Sequence, residues 1–148
     1  MGKGVFDKVL LLPADNMTLE KMLELLVKNT RERAIKKSRV CTITYDDLVN
    51  LWDNQKGLCA LTGYAMSYTI GDMRKVSIDR VDSSKGYTKD NIQLVCRLTN
   101  KAKSNMPNDE FIAMCQAVSH RIAAVQRLRA GLTPWLTPYR AIRSGRTR

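Results

Sequence analysis

The chain has 148 residues, 44% of them hydrophobic and 26% charged, with 25 lysines and arginines against 14 acidic residues for a net charge of +11. That is enough apolar residue for one cored domain with extensions; no run of about 18 apolar residues is present to span a membrane, and four cysteines with no C-x-x-C pair argue against a secreted disulfide framework and for reduced cytoplasmic thiols. The basic excess, clustered rather than spread, points to a polyanionic partner, above all nucleic acid.

Residues 1–17 read as irregular. The apolar stretch at residues 9–12 is short, lacks a small-residue cleavage pattern and runs into Pro13, so no signal peptide is expected. Thr18 is placed to cap a helix reaching about Lys37, with Leu19, Met22, Leu23, Leu26, Val27, Ala34 and Ile35 at spacings of three and four along one buried face. Its far end carries a basic cluster, Arg31, Arg33, Lys36, Lys37 and Arg39, where cations suit the helix dipole. Residues 40–43 (Val-Cys-Thr-Ile) are β-prone. Thr44 caps a second helix, with Asp46 and Asp47 in its first turn, Tyr45, Leu48, Val49 and Trp52 on its inner face, and Gly57 to end it in a left-handed turn.

A tight knuckle, Cys59-Ala60-Leu61-Thr62-Gly63, follows, then a stretch from 64 to 75 that reads as loop or weak strand. Residues 76–81 alternate as a strand, 82–90 form a polar loop around Gly86, and 91–96 form a second strand, with a short helix starting near Arg97. Two short strands, a loop and a helix make a ββα unit over about residues 76–105. A long helix starts near Pro107 or Asn108 and ends at Gly131, its stripe being Phe111, Met114, Cys115, Val118, Ile122, Val125 and Leu128. After Glu110 the sequence has no carboxylate, while Arg121, Arg127, Arg129, Arg140, Arg143, Arg146 and Arg148 follow. Residues 132–148 are expected to be a basic tail.

The most specific passage is Ser77-Ile78-Asp79-Arg80-Val81-Asp82-Ser83-Ser84-Lys85-Gly86-Tyr87, followed by Asn91-Ile92-Gln93-Leu94-Val95-Cys96 and Asn100. With the lead-in from Leu51 to Gly63, it resembles HNH (ββα-metal) nucleases over about residues 45–115, and within them a phage and bacterial subgroup with Asp-Arg in place of Asp-His. The resemblance implies an α+β, mostly helical fold in which a ββα-metal core is flanked by N-terminal helices and a long C-terminal helix, the domain spanning 18–131. It implies that Asp79 and Asn100 hold a divalent metal, Mg²⁺ or Mn²⁺, a hard cation that needs few protein oxygens. Asn91 falls on the residue that braces the loop, and Arg80 on the usual histidine base. Arginine cannot accept a proton but can grip a phosphate bidentately. That leaves Asp82, Ser77 or a metal-bound hydroxide to activate water. Lys85, Lys101 and Lys103 are expected at phosphates, with Arg121 and the Arg31–Arg39 cluster as further contacts. Cys59, Thr62, Cys96 and Thr99 stand where relatives carry zinc knuckles; two thiols and two hydroxyls make a poor tetrahedral site, and no zinc is expected.

Each assignment has a plainer alternative. Asp79 and Asp82 occur often enough as turn carboxylates, Asn100 as a helix-surface residue, and Trp52 as core. His120 lies off the apolar stripe, toward solvent or DNA. Trp135 and Tyr139 can stack on bases or belong to a docked tail. The leading expectation is a metal-dependent DNA endonuclease of HNH type, phage-encoded and acting in the host cytoplasm. The rivals are an inactive HNH-fold DNA-binding protein and a small phage protein that modulates a host enzyme.

Overall fold

The computed structural model describes residues 17–131; residues 1–16 of the segment expected to be irregular, and the expected basic tail with Trp135, Tyr139 and its four arginines, lie outside them. The chain divides into two compact units, residues 1–108 and 109–148.

In the first unit, helix α1 runs Leu19–Lys36 and helix α2 Tyr45–Asn54. Thr18 caps α1, accepting the Lys21 amide at 3.3 Å. Thr44 and Asp47 form a reciprocal capping box on α2: Thr44 Oγ1 accepts the Asp47 amide at 3.2 Å and Asp47 Oδ2 accepts the Thr44 amide at 2.9 Å. The apolar spacing of α1 buries Met22, Leu23, Leu26, Val27 and Ala34, whereas Ile35 stands in solvent. Residues 40–43 make no strand. Backbone bonds from Thr42 to the Tyr87 carbonyl (3.0 Å) and from Tyr87 to the Val40 carbonyl (2.8 Å) tie them to the later loop, and Ile43 alone sinks fully into the core. Their β-branched residues fit an extended segment; the hairpin offers them no ladder.

Strands β1, Val76–Arg80, and β2, Ile92–Cys96, pair antiparallel with Val76 opposite Cys96 and Arg80 opposite Ile92. A 3₁₀ turn, Lys89–Asn91, leads into β2, so Asn91 lies in the turn and not in the strand. Alternation sends Val76 and Ile78, with Leu94, into a core shared with Met22, Leu26, Ile43 and Leu48. The opposite face carries Ser77, Asp79 and Gln93, and helix α3, Arg97–Lys103, packs there. Gln55, at the end of α2, reaches β2: its amide donates to the Leu94 carbonyl at 2.8 Å and its oxygen accepts the Leu94 N–H at 3.0 Å.

Gly57 follows α2 at φ +67°, and a Cβ there would press on the Trp52 ring at 3.1 Å. Gly86 is demanded by a close approach instead: a Cβ would run into the Val40 carbonyl oxygen.

Helix α4, Asn108–Arg129, has all but its first residue in the second unit and carries Asp109 and Glu110 in its first turn. Of its stripe Phe111 is buried, while Met114, Val118, Ile122 and Leu128 are exposed. Spacing identifies an apolar face but does not supply its cover. Among the described residues no helix is long and apolar enough to cross a membrane.

Candidate functional site

The ββα unit carries two distinct polar features, an inner centre and an outer groove. At the inner centre Asp79 is 4% exposed and Lys103 wholly buried. The Lys103 ammonium lies 3.1 Å from Asp79 Oδ2 and 3.3 Å from Oδ1, and donates to the Arg80 carbonyl at 2.9 Å. Asp79 Oδ2 also accepts the Gln93 amide at 2.8 Å, and Gln93 exchanges hydrogen bonds with Asn108 at 3.0 and 3.3 Å. One turn earlier on α3, the Asn100 amide nitrogen donates to Ser77 Oγ at 2.8 Å and to the Ile78 carbonyl at 3.0 Å.

The loop after β1 is closed from within. Asn91 Oδ1 accepts the Asp82 amide at 2.9 Å, and its Nδ2 donates to the Asp82 and Gly86 carbonyls at 3.0 and 2.9 Å. Arg80, 7% exposed, donates from Nη1 to the Ser83 and Lys85 carbonyls and lies over the Tyr87 ring, 5.2 Å from its centroid. Asp82 accepts the hydroxyl and amide of Ser84 and pairs with Lys85 at 3.2 Å. These bonds, the Ser84 hydroxyl foremost, hold its carboxyl down at about 2, a weak base at neutral pH.

Two sequence expectations need correction. Lys103 does not reach outward to a phosphate, because a lysine at that helical position meets Asp79 and sits fully enclosed. Arg80 does not present its guanidinium fork to solvent; Nη1 is taken by two loop carbonyls and the group stacks on Tyr87.

The outer feature is a groove between the last turns of α1, the start of β1 and α3. One part, about 390 Å³, is lined by Asn29, Glu32, Arg33, Lys36, Lys75, Ser77 and Arg97 among others. The adjoining part, about 360 Å³, is lined by Arg33, Ser77, Arg97, Asn100, Lys101 and Ser104. Five cations thus face one carboxylate, Glu32. Arg33 is steadied by bonds to the Asn29 carbonyl and Thr30 Oγ1, each 3.2 Å. Of the expected phosphate contacts, Arg33, Lys36 and Lys101 meet here. Lys37 and Arg39 do not line the groove, Arg31 turns to the Ile43 carbonyl at 2.8 Å, and Lys85 pairs with Asp82. Arg121 and His120 are exposed on α4, in the other unit. Lys75 and Arg97 were missed; the hairpin register was their signal, since pairing Val76 with Cys96 sets Lys75 and Arg97 side by side, joined by an amide–carbonyl bond of 2.8 Å.

The four knuckle residues do come together. The Cys59 thiol donates to Thr99 Oγ1 at 3.8 Å. Burial pushes the Cys59 thiol up, but the Thr62 hydroxyl and neighbouring backbone amides outweigh it and bring it to about 7; burial, then the Cys59 charge, push Cys96 to about 11. Two thiols and two hydroxyls do not fit a structural zinc.

Nor do the inner residues fit the divalent ion that an HNH resemblance implies. Both oxygens of Asp79 face the Lys103 ammonium and Oδ2 accepts an amide as well; of Asn100 only Nδ2 is committed to β1. No group of three or more His, Cys, Asp or Glu able to hold a metal occurs among the described residues.

A β-hairpin with a helix packed across it, a bracing asparagine and an aspartate at the end of the first strand define an HNH-like fold. The structure of PacI, a rare-cutting HNH restriction endonuclease for which a mechanism of DNA perturbation is described, is similar to this chain with a TM-score of 0.54 and 21% identity, over 80% of this chain and 89% of that one. No protein-family model matches the chain and no curated protein matches it in sequence.

Proposed function

We propose that the chain binds DNA along its phosphate backbone, with the α1–β1–α3 groove as the grip. The observation that carries this is the convergence of Arg33, Lys36, Lys75, Arg97 and Lys101 on one groove with a single opposing carboxylate. Cations so placed displace condensed counterions from a duplex, which gives affinity without base readout and a steep dependence on salt. Ser77, Ser104 and Asn100 add neutral polar groups to the same wall. Fluorescence anisotropy on a labelled duplex tests the reading. Arg97→Glu/Lys101→Glu is expected to weaken binding at every sequence tried and to flatten the salt slope by about 0.9 per lost phosphate contact. An unchanged slope in that variant removes the groove from the interface.

The second reading is a metal-dependent endonuclease of HNH type, phage-encoded, that cuts phosphodiester bonds in the bound DNA. Its support is the fold shared with PacI. Plasmid nicking in Mg²⁺ or Mn²⁺ that disappears in Asp79→Ala would favour it. Binding with no cutting in either ion favours the first reading.

A further inference from the structure

We infer that Lys103 is the resident cation of the ββα centre: its ammonium takes the place that a divalent ion would need at Asp79, so the fold holds together without metal. Three observations carry this. First, Lys103 has no exposed surface, and its nitrogen is within 3.3 Å of both Asp79 oxygens and 2.9 Å from the Arg80 carbonyl. An ammonium has three hydrogens, and acceptors on two residues surround it here. Second, Asp79 receives a further amide from Gln93, which is itself held by Asn108, so the carboxylate is satisfied from both sides. Third, among the described residues no buried side-chain polar atom of this centre is left without a partner.

A buried carboxylate requires a compensating positive charge, and one lysine supplies it here. A second cation on the same carboxylate would sit against an enclosed ammonium and be repelled by it. Mg²⁺ would in addition need near-octahedral oxygen coordination, and the enclosed Lys103 ammonium already stands against both Asp79 oxygens. The lysine comes from α3 and the aspartate from β1, so the ion pair does the joining of helix to hairpin that a bound metal would otherwise do.

The test needs no DNA and is independent of the function proposed above. Binding of Mn²⁺ to the full chain is followed by loss of the free-ion EPR signal, and the unfolding midpoint is measured in Mn²⁺ and in EDTA. Wild type is expected to leave the Mn²⁺ signal unchanged and to melt at the same temperature in both. Lys103→Ala uncovers the carboxylate and is expected to bind Mn²⁺ and to melt several degrees higher with it than in EDTA. Should the alanine variant fail to fold in EDTA, refolding on addition of Mn²⁺ is the same result, and Lys103→Ser, with a smaller void to hydrate, is read in parallel. Asp79→Asn/Lys103→Met, which removes both charges, is expected to ignore Mn²⁺. Stoichiometric Mn²⁺ binding by wild type that Asp79→Asn abolishes would overturn the inference. So would folded Lys103 variants that bind none.

Discussion

At the scale of single residues, the positions with catalytic precedent in an HNH resemblance are committed to structure in this chain. Lys103 and Asp79 neutralise each other out of water. Breaking such a pair from one side leaves a buried charge, so Lys103→Met should cost about 3–5 kcal/mol in urea unfolding, and adding Asp79→Asn should recover most of it. Arg80 behaves similarly. Arg80→His would forfeit the bonds to Ser83 and Lys85 and the contact with Tyr87; a loss of about 1.5–3 kcal/mol is expected, with no gain of plasmid nicking. A histidine variant that cuts would show that the centre still serves chemistry. The bracing role of Asn91 was legible only through the resemblance, which puts it on the loop-tying asparagine, and its three bonds to the Asp82 and Gly86 backbone do that. The partners of Lys103 and Arg80 were not legible. Charge alone does not say whether a cation faces water or a carboxylate across a helix–strand contact.

At the scale of elements, local rules account for most of the architecture. Thr18, Thr44 and the stripes of α1 and α2 set helix starts and buried faces, because caps and spacing act within one turn of chain. Asn91, expected in the second strand, lies in the 3₁₀ turn before it, and the β-prone residues 40–43 form one isolated parallel bridge, Cys41 to Tyr87, whose partner is more than ten residues away. The capping box makes a pH prediction. Hydrogen bonds from the Thr44 backbone and then its hydroxyl hold the Asp47 carboxyl below the usual carboxylate range. A depressed acid stabilises the fold above its ordinary pKa, and the gain is lost as pH falls through the lowered value. Thr44→Ala should therefore cost about 1 kcal/mol at neutral pH, with the gap to wild type narrowing in acid; an equal gap at every pH would separate Asp47 from the cap. Gly86→Ala probes another local demand. Its methyl would meet the Val40 carbonyl, so thermal unfolding should show a lowered midpoint.

At the scale of the whole molecule, a net charge of +11 spoke for a polyanionic partner, while the place where cations converge depended on the register of two five-residue strands. The hairpin has a further consequence. A two-stranded sheet has only outer strands, each with backbone groups aimed away from its neighbour. Here the outward carbonyls of β1 at Ile78 and Arg80 accept from Asn100 and Lys103, and the outward groups of β2 at Leu94 are taken by Gln55 and the Ala60 amide. Side chains thus stand in for a third and a fourth strand. At these positions the partners stand where an added strand would pair, which disfavours strand addition by an extended peptide or a second copy. Gln55→Ala unplugs one side, and it is expected to bring on thioflavin-positive aggregation under conditions where wild type stays clear.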